Sequence, residues 1–228
     1  MWMGGKMNKI TILNHTTKEP ITLIGEMSGI CYGSNIKDEL KNFQRGMNCI
    51  ESNHGRTLEF PDVYMKIEGY SARVIREWYT HIGGMPTRLQ ASTRYINYED
   101  GFEYIVPPSI EKNKDAEYVY TECIEAIVQA TNTLYNCFNI PKEDCANLLP
   151  LGMTTTIVDK RNLRNLIDMS HQRMCNRAYW EYRKLFNDIC DALREYSDQW
   201  KWIADTLFMP KCKYLGKCPE KDVCKGVK

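Results

Sequence analysis

No apolar run in this chain approaches the ~20 residues needed to cross a bilayer, so no membrane-spanning helix is expected. The opening residues, Met1-Trp2-Met3-Gly4-Gly5-Lys6-Met7, lack the apolar stretch of a secretory signal. Charge of one sign is missing as well: 30 Lys and Arg face 29 Asp and Glu, for a net of +1. A general nucleic-acid binder carries a clear basic excess, so a polymeric nucleic-acid partner is not expected. There is no Gly-x-Ser-x-Gly elbow, no Walker A loop and no Gly-x-Gly-x-x-Gly fingerprint. Those gaps leave esterase-type, P-loop and dinucleotide-fold chemistry without support. Internal repeats and low-complexity segments are also lacking.

Cysteine is plentiful, with ten residues. Cys123, Cys137 and Cys190 sit in apolar-periodic segments, where reduced, buried thiols are ordinary. With no secretion signal, the set reads as free thiols of a cytoplasmic protein. Cys212, Cys218 and Cys224 are spaced Cys-x5-Cys-x5-Cys. Zinc sites favour closer pairs and need four ligands, so no metal is assigned to them. The Lys- and Cys-rich segment beyond Met209 reads as a loose tail. Residues 1–7 read as a tag or N-terminal extension.

At 228 residues the chain can bury roughly 70–75% of its unfolded surface, enough for a self-sufficient core. Ile10–Leu13 and Pro20–Leu23 read as short strands around a turn, and Asp38–Gly46 as a short helix. Val63–Ile67 alternates like a strand. Ser71 predicts an N-cap for a helix carrying Val74, Ile75 and Trp78. Tyr95–Tyr98 and Phe102–Val106 alternate again, with Glu99-Asp100-Gly101 as the turn of a hairpin. Lys112–Phe138 predicts a long helix, with a short one from Pro141 to Leu149. Thr154–Val158 is β-branched and strand-like, and Arg161–Gln172 helical. From Ala178 to Leu207 apolar residues recur in steps of three and four, one amphipathic face.

Two arginine clusters stand out. Arg88 and Arg94 lie among Ser92, Thr93 and the Gly83-Gly84 pair; Arg164, Arg173 and Arg177 follow much later. Guanidinium forks suit phosphate, and glycines let backbone N–H groups approach an anion. Taken bare, His54 reads as a surface histidine, His15 and His171 as structural, Trp180 as core, and Arg161 as a solvated helix residue.

Five stretches in order resemble the flavin-dependent thymidylate synthases. They are Asn53-His54-Gly55 with Glu59; Ile75-Arg76-Glu77-Trp78-Tyr79-Thr80-His81 followed by Ser92-Thr93-Arg94-Tyr95; Leu149-Pro150-Leu151; Asn162-Leu163-Arg164-Asn165-Leu166; and Arg173 with Arg177-Ala178-Tyr179-Trp180-Glu181. The resemblance implies an α/β (α+β) subunit, a central mostly antiparallel sheet flanked by long helices, with one catalytic domain over residues 8–208 and a tail over 209–228. It implies reductive methylation of dUMP to dTMP with FAD as cofactor, NADPH and methylenetetrahydrofolate as co-substrates, and a homotetramer with active sites between subunits.

By position, the resemblance makes Arg173 the uracil-activating arginine. Glu77, Arg88, Gln90, Ala91, Ser92, Thr93 and Arg94 become nucleotide contacts, with Ala91 and Thr93 offering main-chain N–H groups. His54, His81, Asn162, Arg164 and Asp168 become flavin contacts. The chain departs from the family pattern where Thr80-His81-Ile82 replaces Arg-His-Arg, where Ala146 replaces an arginine, and where Asp168 replaces an asparagine. Two alternatives stand beside this reading: a related enzyme acting on another pyrimidine nucleotide such as dCMP, and a non-catalytic zinc-tailed interaction or RNA-binding protein.

Overall fold

Apolar spacing and capping account for most elements in the computed structural model of this protein, which describes residues 8–96, 98 and 101–224. In chain order these are β1 (Lys9–Ile12), α1 (Pro20–Cys31), α2 (Glu39–Glu51), β2 (Asp62–Ser71), α3 (Ala72–Trp78), β3 (Thr87–Gln90), α4 (Pro108–Glu111), α5 (Lys114–Phe138), α6 (Lys142–Cys145), β4 (Thr154–Asn162), α7 (Leu163–Arg173), α8 (Trp180–Tyr196), α9 (Asp198–Thr206) and α10 (Lys211–Tyr214). Short 3-10 turns cover Gly55–Glu59 and Ala146–Leu148. Among the described residues the strands form one antiparallel sheet, ordered β1-β2-β4-β3, so the expected α/β class holds. No described helix is long and apolar enough to cross a membrane.

The chain divides into two compact units. Of the described residues, the first holds 8–9, Ile67–Tyr79 and those within Leu89–Ile157; the second holds Ile10–Lys66, Thr80–Arg88 and 158–224. The central strands β2 and β4 each begin in one unit and end in the other.

In the second unit, α1 and α2 meet through small residues. A Cβ on Gly25 would stand 1.7 Å from the Asn42 carbonyl oxygen, and one on Gly46 would stand 1.9 Å from that of Ile21. This contact explains why Pro20–Leu23 is helix rather than the expected strand. Pro20 sits where a helix tolerates proline. The buried stripe runs Pro20, Ile21, Ile24, Gly25, Ser28, Gly29, and its glycines and serine are invisible to a search for apolar periodicity. The predicted apolar face of 178–207 is present, with Tyr182, Leu185, Ile189, Leu193, Trp200 and Ile203 fully buried. Each such side chain contributes about 1.5–3 kcal/mol. The face is carried by two helices, because Ser197 is extended (φ −162°, ψ 160°) and caps α9 by accepting from the Trp200 amide at 3.3 Å. Gln199 Oε1 accepts the amides of Ile21 (2.8 Å) and Thr22 (3.2 Å). It thereby serves the start of α1, which has no side-chain cap of its own.

In the first unit, Ser71 caps α3 as predicted, accepting from the Val74 amide at 3.2 Å, and Val74, Ile75 and Trp78 are buried. Asn113 caps α5 by accepting from the Asp115 and Ala116 amides, and Asn139 ends it in the left-handed region at φ 54°. Along the 25 residues of α5, Ile124 and Thr131 are the buried ones, whereas Tyr118, Val119 and Phe138 are more than half exposed. The expected 95–106 hairpin does not form among the described residues; Asn97, Glu99 and Asp100 lie outside them. Its second arm has another partner. The Thr154 amide donates to Glu103 (2.8 Å), the Ile105 amide donates to Gly152 (2.9 Å), and Tyr104 bridges Met153.

Candidate active site

The site begins where β4 runs into α7. Strand alternation puts Asp159 and Arg161 on one face, and both side chains are fully buried. Arg161 grips Asp159 with Nε (2.6 Å) and Nη2 (2.8 Å), while Nη1 donates to Asn165 Oδ1 at 2.7 Å. The expectation of a solvated, helical Arg161 is therefore overturned. The helix starts two residues later, and the bidentate carboxylate compensates the buried guanidinium. Asn162 makes the turn, its Oδ1 accepting from the Asn165 amide at 2.9 Å.

Gly83 and Gly84 fold over these asparagines. A Cβ on Gly84 would fall 2.3 Å from Asn162 Nδ2, and one on Gly83 3.0 Å from Asn165 Nδ2. Gly84 also has φ +70°, where a side chain is strained. Just before this loop stands His81. Its Nε2 accepts from Arg173 Nε at 2.8 Å, and the Arg173 guanidinium lies 4.5 Å over the Tyr182 ring. Burial, then the charges of Arg173 and Arg161, push the His81 imidazole down to about 4. At neutral pH it is uncharged, with its proton on Nδ1. It thus fixes the direction of Arg173 without adding opposite charge.

On the first turn of α7, Arg164 pairs with Glu59 at 2.8 Å, and both side chains are nearly half exposed. Gly55, which follows the exposed His54, leaves room for this guanidinium: a Cβ there would stand 3.3 Å from Arg164 Cζ. Asp168 is exposed and acts electrostatically on His171. Arg88 is half-buried on β3.

The remaining nucleotide candidates belong to the first unit. Glu77 is half-buried in the last turn of α3. Gln90 donates to Thr155 Oγ1 at 3.3 Å. The Ala91 amide, expected to face a phosphate, donates to the Thr156 carbonyl at 2.8 Å, extending the sheet instead. Ser92 Oγ accepts from the Arg94 amide at 3.2 Å, shaping a turn that includes Thr93. The Arg94 side chain, largely exposed, rests on Glu143 at 2.9 Å.

The tail, expected to be loose, is docked in the second unit. Tyr214 stacks on His171 at 4.5 Å, Ser170 Oγ accepts from the Met209 amide at 3.2 Å, and Arg177 Nη1 donates to the Asp222 carbonyl at 3.1 Å. Burial lowers the His171 pKa. A cavity of about 830 Å³ opens between this tail and the residues from His171 to Ala178, with Arg173 in its wall.

The profile of the family described as thymidylate synthase complementing protein matches residues 11–197. The chain belongs to that family. It is 28% identical over 223 residues to a flavin-dependent thymidylate synthase of Geobacter sulfurreducens, covering 93% of this chain and 91% of the relative. A Pyrococcus furiosus protein of the same description is 27% identical over 233 residues, covering 95% and 91%. A crystal structure of thymidylate synthase X from Helicobacter pylori with FAD and dUMP superposes with a TM-score of 0.62 at 19% identity, covering 83% of this chain and 95% of that one. That last likeness is one of fold. The motif resemblance pointed to Arg173 and His81 separately. Their mutual bond, the Tyr182 ring beneath the arginine and the Asp159–Arg161 pair were not anticipated. For the last of these a signal was available: two opposite charges two residues apart in a β-branched run.

Proposed function

We propose that this protein is a flavin-dependent thymidylate synthase, converting dUMP to dTMP with methylenetetrahydrofolate as carbon donor and NADPH as reductant. The observation that carries this reading is Arg173, aimed by a neutral His81 and seated on Tyr182, in a chain of this family. Negative charge develops along the N1/O2 edge of uracil as C5 becomes nucleophilic. A preorganised guanidinium stabilises such charge.

The residues on α7 fit FAD. Its first turn contains no acidic residue, its amide end favours anions, and Arg164 is exposed enough to exchange Glu59 for a pyrophosphate. In this reading Arg164 and Asn162 hold the cofactor, with His54 near its ring and His81 and Asp168 as further contacts. When bound, the flavin supplies the hydride that completes the methyl group. Arg94 exchanges Glu143 for the nucleotide phosphate, assisted by Ser92 and Thr93, and Glu77, Arg88 and Gln90 complete the nucleotide contacts. The apolar residues that α5 leaves exposed support a homotetramer, in which a second subunit covers them.

The test is release of tritium from 5-tritiated dUMP, because the C5 proton leaves once the new carbon–carbon bond has formed. Purified protein should bind FAD and release tritium only with folate and NADPH present. Arg173→Ala should lower kcat by about 10²–10³ while FAD binding persists. Failure to bind FAD together with no tritium release overturns the assignment. Loss of FAD from the variant would instead make Arg173 a cofactor contact.

A further inference from the structure

Six of the ten cysteines are dispersed: Cys31 is exposed, as are Cys123 and Cys137 against the expectation of burial, because both lie on the open faces of α5, whereas Cys49, Cys145 and Cys190 are buried. The other four, Cys175, Cys212, Cys218 and Cys224, are all half-buried free thiols, and all line the cavity between the end of α7 and the tail. The tail spacing alone supplies three thiols. Folding adds the fourth from a distant part of the chain. Asn176 Nδ2 lies 3.9 Å from Cys224 Sγ, which sets the last tail thiol beside the neighbour of Cys175. The three tail thiols also lie beyond residue 197, where the family profile ends.

We propose that Cys175, Cys212, Cys218 and Cys224 form a four-thiolate site for a soft divalent cation, best matched by zinc. Four sulfur ligands suit the tetrahedral preference of zinc and its thiolate affinity. Binding converts four thiols to thiolates, releases four protons and leaves the cluster with a charge of about −2. Arg177, Lys211 and Lys213 line the same cavity and offset that charge. Among the described residues no three His, Cys, Asp or Glu side chains already stand in a metal-holding arrangement. The ion therefore draws thiols inward from opposite walls, and its binding is coupled to tightening of the tail against the Arg173–Ala178 turn. This site serves as a clamp and does not depend on the flavin chemistry proposed above.

The experiment uses the full chain, expressed with added zinc and purified with its thiols reduced. Elemental analysis should find about one zinc per chain. Cobalt substituted for zinc should show thiolate charge-transfer and tetrahedral d–d bands. Cys175→Ser should lower zinc affinity about tenfold or more, by analogy with losses at metal sites, whereas Cys31→Ser should not. Chelation of the wild-type protein should lower its Tm, and added zinc should restore it, a reading that stands even if Cys175→Ser folds poorly. The proposal is overturned by absence of retained zinc, by equal zinc content in the two variants, or by a Tm indifferent to chelation.

Discussion

Acid should unlock the arginine before it unfolds the protein. His81 is neutral in the folded chain because burial, and then Arg173 and Arg161, hold its pKa at about 4 rather than 6.5. In the unfolded chain the same imidazole titrates near 6.5. Between those values the unfolded state binds a proton that the folded state refuses, so stability rises with pH across the window. The His81 contribution is complete above about 6.5, declines as pH falls, and is exhausted near 4. At about 1.4 kcal/mol per pH unit, its ceiling is about 3 kcal/mol, and water reaching the half-buried ring screens the effect below that. Protonation also consumes the Nε2 lone pair that accepts from Arg173, setting two cations against each other. The assay is urea denaturation at steps from pH 7 to 4, paired with NMR titration of the four histidines. His171 is shifted in the same direction, so the His81→Asn variant is needed to isolate the effect. A His81 midpoint near 6.5, or an identical pH dependence in the variant, would refute the reasoning.

Two further outcomes concern the scaffold. Gly46→Ala drives a methyl to 1.9 Å from the Ile21 carbonyl oxygen, backbone that cannot swing aside. Thermal unfolding should show a loss of at least about 1–3 kcal/mol. Asp159→Asn leaves the buried Arg161 without its counter-charge, and denaturant melts should register about 3–5 kcal/mol. Adding Arg161→Met to that variant should recover part of the loss.

Legibility in the sequence followed side-chain chemistry. Ser71 could be read because a hydroxyl before an apolar helical stripe has a single local interpretation, and the face from Tyr182 to Ile203 could be read because large residues marked it. Helix α1 could not, since its packing stripe is built partly from Gly25, Ser28 and Gly29, whose contribution is closeness rather than bulk. Arg161 was misplaced because its burial depends on Asp159 across the strand pleat, a relation that helical periodicity hides. Arg173 and His81 were each marked by family pattern. That they touch depends on residues far apart in the chain coming together, which no local motif records. The Ala91 amide shows the converse: a plausible phosphate donor locally, it is taken up by Thr156.

Helix α5 hides little of itself: Ile124 and Thr131 along 25 residues. A helix of that length gains most of its stability from packing, and only weakly from propensity. In the homotetramer proposed above, dilution should therefore destabilise this protein. At concentrations where a protomer stands alone, Tyr118, Val119 and Phe138 become adhesive spots, and losses to vessel walls or to non-specific clumping should set the lowest practical working concentration.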